Sequence, residues 1–273
     1  MNPALWLIER LKPLEYRFRR HTPYDRFNRV EIETTSSCNR KCGYCPVAYD
    51  VRPGHRMEEA LFISIIDQLA EMGFYGRISP HFYGEPLVDK RLPALVAEIG
   101  KRLPRALTVV YTNGDLLDHD AAETLITAGV GLFIVTYEHD EPAAVRQVRA
   151  KMPPFRFASH FVVRRFDDDV TAPYNRGGAV LFPHRVTRLA SCMMPASALV
   201  VDAWGKVKLC CNDYHGQHDW GDLHTRRLAD VWRDPAFVRT RRELLRGTFT
   251  RTLCRVCAGL ETATAPLVRY SPG

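Results

Sequence analysis

The chain has 273 residues, of which 46% are hydrophobic and 25% charged, with a formal net charge of +7. This length predicts one large domain, or one domain with a smaller appendage, and the composition excludes a collagen-like or disordered chain. No apolar run approaches the roughly 18 residues of a membrane span, and Glu9, Arg10 and Lys12 interrupt the one apolar stretch at the N-terminus, so a cytoplasmic protein without membrane contact is expected.

Residues 1–27 form a basic extension whose apolar positions (Leu5, Leu7, Ile8, Leu11, Leu14) predict one amphipathic helix, broken near Pro13. Alternation over 30–34 predicts a strand running into a polar, cysteine-bearing loop. Helical periodicity follows over 58–72, with Gly73 as a stop. Strands are then predicted at 78–82, 107–111, 132–136 and 157–163, with helices at 92–103, 120–128 and 141–151. Strict strand–helix alternation predicts a parallel sheet, open or closed into a barrel. Functional residues of such sheets gather at the C-terminal strand ends. After about residue 185 the pattern changes: 198–202 and 206–209 flank Trp204-Gly205 as a hairpin, and 228–232 and 236–245 look helical. We therefore expect an extension (1–27), a barrel domain (28–185) and a small α+β module (186–273). The basic residues are mostly Arg and scattered, without a stripe interleaved with aromatics, so no nucleic-acid partner is expected.

The eight cysteines fall in two groups. Cys38, Cys42 and Cys45 follow the first strand with spacings of x3 and x2. Three thiolates on a short loop can hold three irons of a cubane cluster and leave the fourth iron open to a small chelating molecule. A structural zinc would want a fourth ligand close by, and the nearest candidate, His55, lies ten residues past Cys45. Cys192, Cys210, Cys254 and Cys257 form the second group. Four thiolates can saturate one cubane, with Gly205 permitting the tight hairpin between the first two. Zinc held by the Cys-x2-Cys pair is the alternative there. Cys211 is left over; it reads as a small buried thiol or as a hydrogen-atom donor. His81, His160, His215 and His218 show no ligand spacing with the cysteines and read as packing or surface residues.

The triplet, with aromatic Tyr44 before its last cysteine, resembles the radical S-adenosylmethionine (SAM) superfamily. The resemblance implies a partial (β/α)6 TIM-like barrel, a [4Fe–4S] cluster whose open iron binds SAM, and reductive cleavage of SAM to methionine and a 5′-deoxyadenosyl radical. It also implies a flavodoxin- or ferredoxin-type electron donor. Tyr83-Gly84-Glu85-Pro86 looks like the family's Gly-Gly-Glu-Pro motif with Tyr in first place, and Glu85 suits an ammonium group. Thr112-Asn113-Gly114 resembles the ribose-contacting turn, with Asn113 as the contact. Thr136 and Glu138 fall at a strand end that would face SAM.

The second cysteine group, with Leu-Cys-Cys-Asn-Asp-Tyr at 209–214 and Leu-x2-Val-Trp at 228–232, resembles the auxiliary-cluster module called SPASM when long and Twitch when short. No cysteine follows Cys257, so the short form with one fully ligated second [4Fe–4S] cluster is implied. Such a cluster suits electron transfer better than substrate binding. The resemblance thus implies a radical SAM oxidoreductase that oxidises an alcohol-bearing carbon of a small sugar- or cyclitol-type intermediate. Arg176, where barrel meets module, is placed as a substrate contact or proton acceptor. An epimerase using Cys211, or a peptide-modifying enzyme, is the alternative. The 27 preceding residues are few for a peptide-recognition domain.

Overall fold

In this computed structural model, five strands run in chain order and alternate with helices. The structure describes residues 27–50, 52–166, 175–181, 188–218, 220–262 and 268–269. The expected N-terminal amphipathic helix and the expected boundary near 185 lie outside them.

Strand β1 (Arg29–Ile32) leads into the cysteine loop, and helix α1 (Glu59–Glu71) returns to β2 (Arg77–Ser79). Helix α1 buries Leu61, Phe62, Ile65, Ile66 and Leu69 on one face, each burial contributing roughly 1.5–3 kcal/mol. It ends before Gly73, whose φ of +67° suits a residue without Cβ. Next come α2 (Leu92–Arg102), β3 (Leu107–Thr112), α3 (His119–Ala128), β4 (Val130–Tyr137) and α4 (Ala143–Lys151). Asp118 caps α3 by accepting the Ala121 amide at 2.8 Å.

The predicted strand over 157–163 is half wrong. Residues Pro154–His160 form a helix, α5, and only Phe161–Arg165 forms the strand β5. Pro153 and Pro154 supply the fixed φ that starts a helix at its first position. Phe157 and Phe161, four residues apart, stack at 4.5 Å between ring centroids. The apolar spacing that reads as strand alternation belongs to that helical turn.

The sheet order is β5-β4-β3-β2-β1, continued past β1 by the strands over Ala198–Val201 and Val207–Lys208. Strands β1 to β5 are parallel neighbours. A short β6 (Val180–Leu181) pairs separately with β9 (Val268–Arg269). Helix α6 (Met194–Ser197) leads into β7 (Ala198–Val201), which lies parallel to β1, with Val30 opposite Leu199. Strand β8 (Val207–Lys208) returns antiparallel. The hairpin predicted around Trp204-Gly205 is therefore present, and it extends the barrel sheet past its first strand. The sheet remains open, a partial barrel.

Three helices complete the C-terminal part: α7 (Leu228–Trp232), α8 (Pro235–Leu245) and α9 (Thr252–Cys257). A continuous apolar core joins β1, α1 and β2 to Leu199, Val231, Trp232, Phe237 and Leu244. Burial of this core fixes the C-terminal part against the β1 edge. The cysteines after β1 and those around β8 and α9 are thus carried on one continuous apolar body. No helix among the described residues is long and apolar enough to cross a membrane.

Candidate functional site

The C-terminal ends of the parallel strands open into a cavity of ≈ 290 Å³. Its lining brings together most of the residues singled out above: Cys38, Cys42, Tyr44 and Cys45 after β1; Tyr83, Gly84 and Glu85 after β2; Asn113 after β3; and Thr136 near the end of β4. Arg176 and Cys211 line it from the C-terminal side.

The cysteine loop is closed at its base. Thr35 bridges Arg56, the Ser36 amide donates to the His55 carbonyl at 2.9 Å, and the Ser36 hydroxyl donates to Pro53 O at 2.7 Å. Inside the loop the Cys45 amide donates to Cys42 O, and Tyr49 Oη donates to Gly43 O. The Arg40 amide points at Cys38 Sγ, 3.4 Å away. Tyr44 stacks on Phe166 at 3.8 Å.

Glu85 is 4% exposed and accepts three hydrogen bonds from protein. It accepts from Thr112 Oγ1 at 2.7 Å, the Asn113 amide at 2.8 Å and the Leu87 amide at 3.2 Å. Burial pushes its carboxyl up to about 7, against these three donors. Gly84 is required by packing: a Cβ there would lie 1.8 Å from the Thr35 carbonyl oxygen. Pro86 is buried and starts the short 3-10 turn after Glu85, outside the cavity lining. Asn113 ties its turn to the cysteine loop, donating to Asn39 Oδ1 at 2.8 Å.

Glu138 is not brought into the cavity. Its carboxylate accepts the Gly43 amide at 3.2 Å, and it lines an outer groove with Lys41 and Cys42. The side chain at this strand end braces the loop. Thr136 does line the cavity and accepts from Arg164 Nε at 3.3 Å.

Among the lining residues that sequence reading missed are the polar Arg29, Glu31, His81, Tyr111 and Arg164. Burial raises the Glu31 carboxyl, with Arg29, Arg77 and Arg176 opposing. His81 reads from sequence as a packing or surface residue. Here it faces the cavity beside Tyr111, and burial with the nearby Arg176 charge lowers it to about 4, keeping it neutral. Inward alternation along β1 and β3 could have marked Glu31 and Tyr111; nothing in the sequence marks His81. The other three histidines are engaged elsewhere: His160 with Arg156 O, His215 with Asp50 and His218 with Arg251. His55 stacks on Trp204.

The second thiol set lies behind Cys211. The Asn212 amide points at Cys210 Sγ and Asn212 Nδ2 at Cys257 Sγ, both at 3.4 Å. Burial pushes Cys192 up to about 11 and Cys254 up to about 12, with the neighbouring Cys257 adding to both. Burial likewise pushes Cys211 up to about 12, with Glu31 adding and Arg176 opposing. All eight cysteines are free thiols. Buried thiols with amide donors aimed at sulfur fit a thiolate-ligated cluster, whose iron charge offsets the cost of ionising them. Among the described residues no three His, Cys, Asp or Glu side chains converge on one metal ion.

A thiol triplet at the mouth of an open parallel sheet, with a glycine-carboxylate loop beside it and a four-thiol module behind, defines an iron–sulfur enzyme of the SAM-cleaving type. Comparison with known proteins agrees. Residues 32–158 match the radical SAM superfamily model, and residues 192–258 match the SPASM iron–sulfur cluster-binding domain. The chain is 33% identical over 247 residues to the S-adenosyl-L-methionine-dependent 2-deoxy-scyllo-inosamine dehydrogenase of Niallia circulans, covering 89% of this chain and 98% of that one. A crystal structure of BtrN with AdoMet and 2-DOIA superposes with a TM-score of 0.78 at 33% identity, over 85% of this chain and 93% of that one. BtrN in an open conformation gives 0.66 at 30% identity, over 85% and 92%. The chain belongs to the radical SAM superfamily. It is a radical SAM enzyme, and its two domains imply SAM and [4Fe–4S] clusters as cofactors.

Proposed function

We propose that this enzyme oxidises an alcohol-bearing carbon of a small cyclitol- or sugar-type intermediate to a ketone. The observation that carries the reading is likeness over 89% of the chain, barrel and module together, to a cyclitol dehydrogenase. The cavity supports it: polar groups of opposite charge, Glu31 and Arg176, line a space suited to a hydroxylated ring.

In this reading Cys38, Cys42 and Cys45 hold the SAM-binding cluster, and Cys192, Cys210, Cys254 and Cys257 hold the second. Bound there, these groups supply a hydrogen-abstracting radical and a one-electron sink. The remaining steps fall to the chain. Tyr83, Gly84, Glu85, Asn113 and Thr136 hold SAM. Arg176 would lie against the substrate oxygen, where a guanidinium stabilises the negative charge that develops as the hydroxyl proton passes to the Glu31 carboxylate lining the same cavity. Glu31 and neutral His81 orient the ring. A flavodoxin- or ferredoxin-type protein donates electrons, and a reducing cytoplasm keeps the eight thiols unpaired.

Anaerobic incubation of the reconstituted enzyme with SAM, dithionite and 2-deoxy-scyllo-inosamine tests the reading. Ketone and 5′-deoxyadenosine should form in equal amounts. SAM cleavage without ketone, from that compound and from a panel of aminocyclitols and deoxysugars, would sink it. One observation favours a second reading, epimerisation: the Cys211 thiol lines the same cavity.

A further inference from the structure

Glu33 lies just past the end of β1 and is fully buried. Its Oε1 accepts the amides of Tyr83 and Gly84, each at 3.0 Å. Its Oε2 accepts the amide of Ala203 at 3.1 Å. The Arg52 guanidinium grips both oxygens in a bidentate pair, with Nη1 3.1 Å from Oε2. That guanidinium lies among four aromatic rings: Phe82 at 5.6 Å, Tyr83 at 5.9 Å, Trp204 at 5.5 Å and Tyr214 at 4.7 Å to the centroids.

One carboxylate therefore binds three separate pieces of chain. Arg52 belongs to the return of the cysteine loop. Tyr83 and Gly84 precede Glu85. Ala203 belongs to the turn between β7 and β8. A buried ion pair is a poor source of stability, because desolvation offsets most of its attraction. Well-packed apolar side chains would fill this space as stably. What an apolar pair could not do is accept three backbone amides at fixed positions.

We infer that Glu33 is a positioning residue: it fixes the Tyr83–Gly84 backbone, and with it the SAM-binding face of the cavity, against the C-terminal hairpin, while Arg52 neutralises its charge. This goes beyond the oxidation proposed above and does not depend on the substrate. It needs only SAM binding.

Two conservative variants separate this role from that of a simple charge pair. Glu33→Asp keeps the charge and its attraction to Arg52, but is one methylene too short to reach all three amides. Glu33→Gln keeps one oxygen at the Tyr83 and Gly84 amides but loses the charge and, with its amide nitrogen turned toward Ala203 and Arg52, the bond to the hairpin. SAM affinity of the reconstituted proteins is read by calorimetry, and amide hydrogen exchange at Tyr83, Gly84 and Ala203 by NMR on the labelled chain. Positioning predicts that Asp weakens SAM binding by about tenfold or more and Gln by less than about threefold. It also predicts that Asp speeds exchange at these amides. A charge-pair role predicts the reverse order, Gln worse than Asp, and that order overturns the inference. Should the Asp variant fail to take up iron, the Gln variant decides alone: a tenfold or greater loss of SAM affinity there overturns it.

Discussion

The Tyr83 hydroxyl donates to the Cys211 carbonyl at 2.8 Å, across 128 positions of sequence. Tyr83 belongs to the loop that carries Glu85, and Cys211 is adjacent to the thiol Cys210. One phenol thus ties the SAM-facing loop to the second thiol set. Burial raises the Tyr83 hydroxyl well above its ordinary value, so it stays a protonated donor at every working pH. Tyr83→Phe keeps the ring, over which Arg176 lies at 5.9 Å, and leaves a part-buried carbonyl without this donor. We expect a stability loss of about 1–2 kcal/mol in denaturant titration. More 5′-deoxyadenosine should also form per ketone, because the loop and the module lose their register. Unchanged stability would mean that this bond contributes nothing to the interface.

Glu85 gives a pH dependence with a definite sign. Its carboxyl is raised to about 7, chiefly by burial. Below that value it is neutral and cannot pair with the SAM ammonium. Binding then includes the cost of removing a proton, so affinity rises with pH through about 7 and falls again as the SAM ammonium loses its own proton, at about 7.7–8.0 for an ordinary α-amine. Between pH 6 and 7 the gain should be about fivefold, with about one proton released on binding at pH 6. Glu85→Gln should weaken binding by about ten- to a hundredfold near pH 8 and flatten the rise. Calorimetry in buffers of different ionisation enthalpy reads both effects. A flat wild-type profile would remove Glu85 from the ammonium site.

Iron content tests the assignment of the seven thiols. After anaerobic reconstitution the wild type should hold about eight irons and eight sulfides per chain. Replacing Cys254 and Cys257 by Ala should halve both and leave SAM binding in place. Replacing Cys38, Cys42 and Cys45 should halve both and abolish SAM binding. A wild-type value near four that is unaffected by the first pair of changes would remove the second cluster.

Much of this site is legible in sequence because its chemistry is local. Cys38, Cys42 and Cys45 share one loop, and Tyr83 to Pro86 are contiguous, so spacing alone sets their geometry. The α/β alternation is legible because parallel strands buried on both faces, such as β4, give long apolar runs. Legibility fails where contacts are distant or a short segment is ambiguous. Glu33, Arg52 and Ala203 meet only after β7 docks beside β1, and no periodicity announces that docking. His81 falls within the predicted strand 78–82, but β2 ends at Ser79 and the turn after it carries the imidazole into the cavity. Pro154–His160 carries too few residues to separate one helical turn from strand alternation, and the Pro-Pro start signal decides it. Glu138 falls at the expected strand end but faces the cysteine loop, because strand position does not set side-chain direction beyond the last ladder pair.

Cys211 decides between oxidation and epimerisation. Oxidation exports an electron from the substrate radical, and among the described residues the four-thiol set behind Cys211 is the sink the cavity offers. Epimerisation returns a hydrogen atom, and Cys211 is the thiol lining the cavity that no cluster is assigned. Burial raises this thiol to about 12, so it holds its hydrogen at neutral pH, as a donor must. Cys211→Ala removes the donor and keeps the seven other thiols. For a dehydrogenase, ketone formation should persist, with a stability loss of about 1 kcal/mol from the small cavity left behind. For an epimerase, inverted product should vanish while SAM cleavage continues. Turnover in deuterated water separates the two independently. A thiol exchanges with solvent and would place one deuterium at the inverted carbon, whereas oxidation to a ketone places none at the reacting carbon. Deuterium at that carbon, lost together with product in Cys211→Ala, would replace the dehydrogenase reading by the epimerase one.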